Sequence, residues 1–216
     1  MSDTALSLRA IDKKFGATMA LANASLTVRR GTLHAVLGEN GAGKTTLMRI
    51  AFGMLRPDTG TVTIDGTTVA LASSAGAMRH GLGMVHQHFT LVPAMTAAEN
   101  IALGGHGTFR VREVAERIHS LVERTGLAVD PDARVATLGV GAQQRVEILK
   151  ALARDAHTLI LDEPTAVLTP GETEELFGWL RRFVAGGGTA VLVTHKLQEA
   201  LAIADDVTVL RRGTPA

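Results

Sequence analysis

The sequence predicts an α/β fold with a mainly parallel sheet core, an antiparallel β-subdomain and a helical insertion subdomain. The first observation is a set of three short apolar runs without polar alternation, each followed by a polar residue and a helical pattern, as buried parallel strands are. These runs are Leu33–Leu37, 158–161 and Thr189–Thr194. The second is that the first third of the chain consists of alternating strands and tight turns. The third is the helical periodicity of the middle of the chain.

Two hairpins are predicted in the first third of the chain. Residues 61–68 include the alternating apolar pair Val62 and Ile64, followed by an Asp-Gly dipeptide at 65–66 that suits the positive φ angles of a type I′ turn. The second hairpin is expected at 29–32, between an alternating segment and the apolar run that follows it. Such turns are typical of an antiparallel β-subdomain.

The middle of the chain is predicted to be mainly helical. One helix is expected to end at Gly126, which stands where a C′ glycine belongs, and its apolar residues fall on one face. That face comprises Val111, Val114, Ala115, Ile118, Leu121 and Val122. Because no repeat, low-complexity segment or long linker divides the sequence, we expect a single domain over residues 1–216, with the helical subdomain inserted at about 90–156.

Composition excludes several classes of protein. The 216 residues are 46% hydrophobic and 20% charged, which does not fit a disordered chain, and the net charge of +1 argues against a dedicated nucleic-acid binder. The absence of cysteine excludes disulfides, a thiol nucleophile and a cysteine zinc site. No stretch approaches about 18 uninterrupted apolar residues and the N-terminus lacks the pattern of a signal peptide, so we expect a soluble, cytoplasmic protein.

A glycine-rich segment follows the first apolar run and matches G-x-x-x-x-G-K-[ST] in the strand-to-helix context that this pattern requires. Glycine lets backbone N–H groups turn inward around phosphate oxygens, and a helix beginning near Lys44 adds the positive end of its dipole. Lys44 is expected to reach the β- and γ-phosphates, and the Thr45 hydroxyl to ligate Mg²⁺. The segment predicts a P-loop NTPase with the nucleotide-binding residues Gly38, Glu39, Asn40, Gly41, Ala42, Gly43, Lys44, Thr45 and Thr46.

Two acidic residues follow the apolar run at 158–161. Because α/β sheets place their sites at the carboxyl ends of the strands, Asp162 and Glu163 are predicted to lie beside the phosphate loop. Asp162 is expected to join the magnesium shell through water, and Glu163 to point at the attacking water as a general base. The alternative is a solvated strand end or a helix N-cap, and the phosphate loop makes it the weaker interpretation.

The order and spacing of five motifs resemble the nucleotide-binding domain of ATP-binding cassette (ABC) transporters, over nearly the whole chain. Besides the Walker A segment at 38–46 and the Walker B segment that ends at 162–163, the chain has VHQHF at 85–89, where the family has its glutamine loop. VTH at 193–195 corresponds to the switch histidine, and LGVGAQQR at 138–145 stands at the family's signature. The resemblance implies ATP and Mg²⁺ as ligands and ATP hydrolysis as the activity.

Longer segments resemble the first of two cassettes in the ATP-binding proteins of simple-sugar and nucleoside importers: VHQHFTLVPAMTAAENIALG, QQRVEILKAL, DEPTAVLTP and THKLQEA. This likeness implies the first cassette of a longer chain or of a two-cassette assembly, at the cytoplasmic face of the cell membrane. It also implies a second ABC cassette, transmembrane permease subunits and a solute-binding protein as partners, and no nucleic acid.

Two alternative functions differ in class from import. One is a soluble, non-transport ABC ATPase that acts on nucleic acid or ribosomes, but the heptad insertions, cysteine zinc modules and basic linkers of such proteins are not visible in the sequence. The other is a nonhydrolytic nucleotide sensor, which would lack Glu163 or His195, and both are present.

The resemblance gives roles to three further residues. It makes Gln87, after a strand predicted at 83–86, a magnesium ligand, a catalytic residue and the link to the permease. It makes His195 the residue that orients the γ-phosphate and the attacking water, and it places Phe15 on the adenine ring. The alternatives are a plain surface glutamine for Gln87 and core packing for Phe15.

His86 and His88 lie two residues apart, so on a strand they would share a face and could form a metal pair. No nearby cysteine or acidic triplet completes a metal shell in the sequence. We therefore prefer the interpretation without a metal.

The signature segment departs from the family pattern. Its residues Gly139, Gly141 and Gln143 are implied to contact the ATP of the partner cassette, but the family has serine where Gly139 stands, and that hydroxyl touches the γ-phosphate. The D-loop aspartate of the family is also missing, because the corresponding segment leads to Thr169. The resemblance thus implies that the half-site donated by this chain is weakened while its own phosphate site is intact.

Overall fold

A computed structural model describes residues 3–69, 73–103 and 111–216, and for 111–117 it describes the backbone alone. In chain order, the strands of these ranges are β1 (Thr4–Phe15), β2 (Thr18–Arg29), β3 (Leu33–Leu37), β4 (Thr59–Ile64), β5 (Thr67–Val69), β6 (Leu82–Val85), β7 (Thr158–Asp162), β8 (Thr189–Thr194), β9 (Asp206–Arg211) and β10 (Thr214–Pro215). The helices are α1 (Lys44–Ala51), α2 (Ser74–Arg79), α3 (Ala97–Ala102), α4 (Val111–Thr125), α5 (Val140–Leu152), α6 (Pro170–Ala185) and α7 (Leu197–Ile203), with a 3₁₀ turn at Val135–Thr137.

An antiparallel sheet of four strands has the order β2-β1-β4-β5. The strands β4 and β5 form the predicted hairpin: Ile64 pairs with Thr67, and the two turn residues Asp65 and Gly66 have φ angles of 51° and 80°. Positive φ at both central positions is the requirement of a type I′ turn, so this prediction is confirmed.

A second sheet has the order β10-β9-β3-β8-β7-β6, and all its strand pairs are parallel except β9 with β10. The three apolar runs form its strands β3, β7 and β8, as predicted. Side chains such as Ile160 and Val191 enter a core shared with the antiparallel sheet and α1, whereas Leu161 and Leu192 enter a core shared with α5 and α6. Burial on both faces explains why these strands lack polar alternation.

The hairpin expected at 29–32 is wrong. The strands β2 and β3 are consecutive in the chain but lie in different sheets, and β3 pairs in parallel with β8 and β9. Gly31 does turn the chain, with φ of +68°, and its N–H donates to the Thr189 hydroxyl at the start of β8. Since β3 is buried on both faces, it lies inside the parallel sheet with a strand on each side rather than in a hairpin with the amphipathic β2.

Helices between β6 and β7 form the helical insertion. Helix α4 ends as predicted, because Gly126 has φ of +68° and its N–H donates to the carbonyl of Val122 at 2.7 Å. Of the predicted apolar face, Ile118 and Leu121 are buried. The predicted face residues Val111, Val114 and Ala115 lie outside the described side chains.

Candidate active site

The glycine-rich segment forms the turn between β3 and α1. Gly43 precedes the helix with φ of 101°, and a Cβ there would lie 2.7 Å from the Ala20 carbonyl oxygen, so only glycine fits. A glycine cap has no side-chain acceptor, and the first turn of α1 has no acidic residue. The first N–H groups of the helix therefore favour an anionic ligand. A cavity of about 370 Å³ opens over this turn, lined by Gly38, Glu39, Asn40, Gly41 and Ala42 and by His195 from the end of β8.

Lys44 is 4% exposed and lies inside the turn. Its ammonium group donates to the carbonyl oxygens of Gly38 at 2.7 Å and Glu39 at 3.0 Å. It also lies 3.7 Å from a carboxylate oxygen of Glu163. Thr45 and Thr46 follow in the first turn of the helix. The cation is thus held at the base of the loop that the sequence predicts to bind phosphate.

The Glu163 carboxylate contacts side chains from three other chain segments. One oxygen faces Lys44, and the other lies 3.3 Å from Nδ1 of His195 and accepts a 3.5 Å hydrogen bond from the side-chain amide of Gln87. The backbone of Glu163 has φ of 48°, which is unusual for a residue with a side chain, and its N–H donates to Val193 of β8 at 3.0 Å. Strained backbone of this kind is concentrated at functional sites.

Asp162 ends β7 directly beneath the phosphate loop. It is 2% exposed, and its carboxylate accepts a hydrogen bond from the Thr45 hydroxyl at 3.2 Å. Burial raises the pKa of Asp162, and the adjacent charge of Glu163 raises it further. A buried carboxylate with few donors and a neighbouring hydroxyl fits a hard cation such as Mg²⁺, which takes oxygen ligands and keeps several waters.

The exposure of Phe15 bears on the choice between adenine stacking and core packing. Phe15, at the end of β1, is 46% exposed with the Lys13 ammonium 5.7 Å from its ring centroid, so the core-packing alternative is wrong for this residue.

The strand before the glutamine loop is Leu82–Val85 rather than 83–86, and His86 and His88 follow it. They therefore share no strand face, and a shared face is the premise of the metal-pair interpretation. Among the described residues, no group of three His, Cys, Asp or Glu side chains could hold a metal ion.

Sequence similarity to a known protein family covers most of the chain. A model described as ABC transporter matches residues 21–166. The chain belongs to the ABC transporter family. The nucleoside import ATP-binding protein NupA of Lactococcus lactis is 46% identical to this cassette, and the ribose import ATP-binding protein RbsA 2 of Burkholderia ambifaria is 45% identical. Each match covers 98% of the cassette but 43% of the relative, so the chain spans less than half the length of these proteins.

Solved ABC cassettes share the fold. An ATP-binding cassette in its ADP conformation matches all of the chain and 90% of its own length, with a TM-score of 0.90 and 25% identity. A dimeric, post-hydrolysis cassette bound to ADP and Pi matches 97% of the chain and 96% of its own length, with a TM-score of 0.84 and 27% identity. Within the described parts of this cassette, no helix has the length and apolar character needed to cross a membrane.

The signature segment of this cassette lies at the start of α5. Gly139 is the exposed N-cap residue, and the Gln143 amide donates to the carbonyl of Leu138 at 2.9 Å, bracing the turn before the helix. Gly141 is buried against the Glu172 carboxylate, and a Cβ at that position would overlap it. The predicted contacts of Gly139, Gly141 and Gln143 with a partner's nucleotide remain predictions.

Two glutamates of the ABC cassette make contacts that none of the five family motifs assigns. Glu172 accepts hydrogen bonds from the Thr169 N–H and hydroxyl in a capping box at the start of α6, and these bonds, with a smaller contribution from the Gly141 N–H, lower its pKa. The T-x-x-E pattern at 169–172 is a recognisable signal for such a box. Glu199 contacts Thr165 across 34 residues of sequence, and no local pattern announces that contact.

Proposed function

We propose that this cassette binds MgATP on its phosphate loop and hydrolyses it to ADP and phosphate in a closed pair of cassettes. The observation that carries the proposal is the Glu163 carboxylate, which contacts Lys44, Gln87 and His195 within 3.3 to 3.7 Å. A carboxylate held between a phosphate-binding lysine and a histidine at the strand ends of an α/β sheet is an arrangement for phosphoryl transfer to water.

Each residue has a defined task in this reaction. When ATP binds, Lys44 exchanges its two carbonyl acceptors for phosphate oxygens. Glu163 takes a proton from the attacking water as the new O–P bond forms and the bond between the γ-phosphorus and ADP breaks. His195 and Gln87 hold the water and the γ-phosphate beside this base, and Phe15 offers an exposed ring to the adenine.

The metal site is part of the same proposal. Thr45 and Asp162 would hold Mg²⁺ directly or through water, with Gln87 at its edge. Bound Mg²⁺ supplies positive charge that neutralises the phosphate oxygens and the two adjacent carboxylates. In this arrangement the buried Asp162 carboxylate, beside the Thr45 hydroxyl, would face the positive charge of the metal.

We further propose that hydrolysis powers the uptake of a sugar or a nucleoside. The names of the relatives support this substrate class, and the dimeric solved cassette supports action in pairs. The second cassette, as in a longer chain or another polypeptide, would supply the opposing signature, and transmembrane permease subunits and a solute-binding protein would complete the importer. In this proposal the cassette lies at the cytoplasmic face of the membrane. The reported relatives give no support to the nucleic-acid or ribosome alternative.

Glu163→Gln tests the catalytic assignment in the presence of a complementary cassette. The amide keeps the size of the side chain but cannot accept the proton, so MgATP binding should persist while hydrolysis is lost and the closed pair accumulates. Glu175→Gln, an exposed acid on α6, is the matched control. Wild-type turnover by Glu163→Gln would remove the general base from the proposal.

Uptake of labelled ribose or uridine into permease-containing vesicles tests the substrate class.

A further inference from the structure

We propose that Glu199 is a positioning residue that holds the general base Glu163 and the switch residue His195 in register. The inference rests on the proposed hydrolysis and adds a residue to it. Glu199 lies in the first turn of α7 and touches neither the phosphate loop nor the catalytic cluster in the contacts that the structure describes. It acts through two buried threonine hydroxyls.

Both hydroxyls donate to the Glu199 carboxylate. Thr165 Oγ1 lies 2.7 and 2.8 Å from its two oxygens, and Thr194 Oγ1 lies 3.0 Å from one of them. The Lys196 ammonium donates to the other oxygen at 2.8 Å and lies 3.3 Å from the Thr165 hydroxyl. Thr165 and Thr194 are 4% and 2% exposed, so water does not compete readily for these bonds.

The threonines flank the catalytic residues. Thr165 follows Glu163 by two positions, and Thr194 immediately precedes His195. A single carboxylate thus ties the segment after β7 to the end of β8, close to the 3.3 Å contact between Glu163 and His195. The left-handed backbone of Glu163 persists only if surrounding contacts fix it, and the bond from Thr165 is one such contact.

A simpler role for Glu199 is that of an acidic residue stabilising the N-terminus of α7. An exposed side chain would serve that purpose, but the Glu199 side chain is only 11% exposed. Its burial requires donors, and the threonine donors come from outside the helix. The geometry therefore fits a bridge between segments better than a helix-end charge.

Two substitutions break the bridge from opposite sides. Glu199→Gln replaces one acceptor oxygen by an NH₂ group that faces the donors, and Thr165→Val removes the bridging hydroxyl at constant size. Thr165→Ser keeps the hydroxyl and should hydrolyse ATP at the wild-type rate, in contrast to Thr165→Val. Glu175→Gln, on the exposed face of α6, is the control for loss of an acidic charge.

The first measurement is single-turnover ATP hydrolysis with protein in excess and a complementary cassette present, alongside MgATP affinity and thermal melting. Glu199→Gln and Thr165→Val should slow hydrolysis about 10- to 100-fold, the cost of a misplaced catalytic group, with affinity and melting temperature unchanged. Thr165→Ser and Glu175→Gln should hydrolyse like the wild type. Wild-type rates in Glu199→Gln and Thr165→Val, or parallel losses of affinity and melting temperature, would overturn the inference.

Hydrogen exchange separates this inference from the proposed function, because it needs no hydrolysis. Backbone amides at 163–167 and 194–197 should exchange faster in Glu199→Gln than in the wild type, with the rest of the sheet unaffected. If the wild type fails to hydrolyse ATP while this local change is seen, the proposed function fails and the bridge stands. Unchanged exchange at both segments contradicts the bridge.

Discussion

The ammonium group of Lys44 is held by two backbone carbonyls of the glycine-rich loop. Gly43 is the other residue on which its shape depends, because the approach of the Ala20 carbonyl leaves no room for a Cβ. Lys44 thus supplies the positive charge of the loop, and Gly43 leaves room for the Ala20 carbonyl.

Lys44→Ala should abolish tight ATP binding, because it removes the point charge that faces the phosphates. A fluorescent-nucleotide titration measures the loss. Lys150→Ala is a suitable control, since this lysine lies on α5 and its ammonium contacts Thr90 rather than the phosphate loop. Equal affinities in wild type and Lys44→Ala would mean that the phosphate loop is assigned to the wrong residues.

Sequence identified residues whose partners are close in the chain or whose motif has a fixed place at a strand end. Lys44 and Glu163 are of this kind, and the structure brings them to 3.7 Å. Sequence patterns could not identify Glu199, because the Thr165 hydroxyl that it contacts is 34 residues away and neither residue belongs to a recognisable motif by itself. Long-range polar contacts carry no periodicity for a sequence pattern to reveal.

At the level of elements, the two sheets are joined by an ion pair as well as by their core. Arg29 at the end of β2 makes a bidentate contact with Asp206 at the start of β9, at 2.8 and 3.0 Å. No sequence pattern indicates this pair. A turn at Gly31 is compatible with a hairpin and with a crossing between sheets, and only the distant strands β8 and β9 decide between them.

The pair between Arg29 and Asp206 predicts a dependence of stability on pH. The hydrogen bond from the Arg29 guanidinium lowers the pKa of Asp206 below the 3.8 of an unperturbed aspartate. The stabilisation that the ion pair adds to the folded state is therefore present above pH 3.8 and is lost as the pH falls through the folded-state pKa of Asp206. Arg29→Ala should therefore lower the free energy of unfolding at neutral pH and match the wild type more closely in acid.

Urea unfolding of both proteins over a pH series measures the difference. The effect should be small because the pair is partly exposed. Asp206→Asn should remove the same pH-dependent difference. A gap between wild type and Arg29→Ala that grows as pH falls would contradict the assignment.

For the whole molecule, the intact phosphate site and the altered signature predict unequal half-sites. A homodimer would present Gly139 to both nucleotides, so neither γ-phosphate would receive the serine hydroxyl of the family pattern. Loss of a donor aimed at transition-state charge costs about 10² to 10³ in rate. The chain alone should therefore bind ATP but hydrolyse it slowly, and a complementary cassette should restore the site built on Lys44 and Glu163.

Gly139→Ser tests this asymmetry through the ATPase rate as a function of protein concentration. The serine variant should gain turnover, and Gly139→Ala should not, because it adds a methyl group without a hydroxyl. Both substitutions are sterically permitted, since Gly139 has a φ of −63° and no atoms within 4 Å of a Cβ. Thr169, which stands in the segment where the family has its D-loop aspartate, should limit the gain. Strong, concentration-cooperative turnover by the wild type, or an equal gain in Gly139→Ala, would refute the explanation.

The placement of β3 between β8 and β9 also sets an order for events during synthesis. The strand that carries the phosphate loop acquires neither neighbour until the segments Thr189–Thr194 and Asp206–Arg211 have left the ribosome. The N–H of Gly213, later still, donates to the Ala42 carbonyl within the loop. Contacts so distant in sequence form slowly. ATP therefore cannot act as an early folding ligand: a nascent chain arrested before residue 189 should not be retained by immobilised nucleotide, whereas the released chain should be.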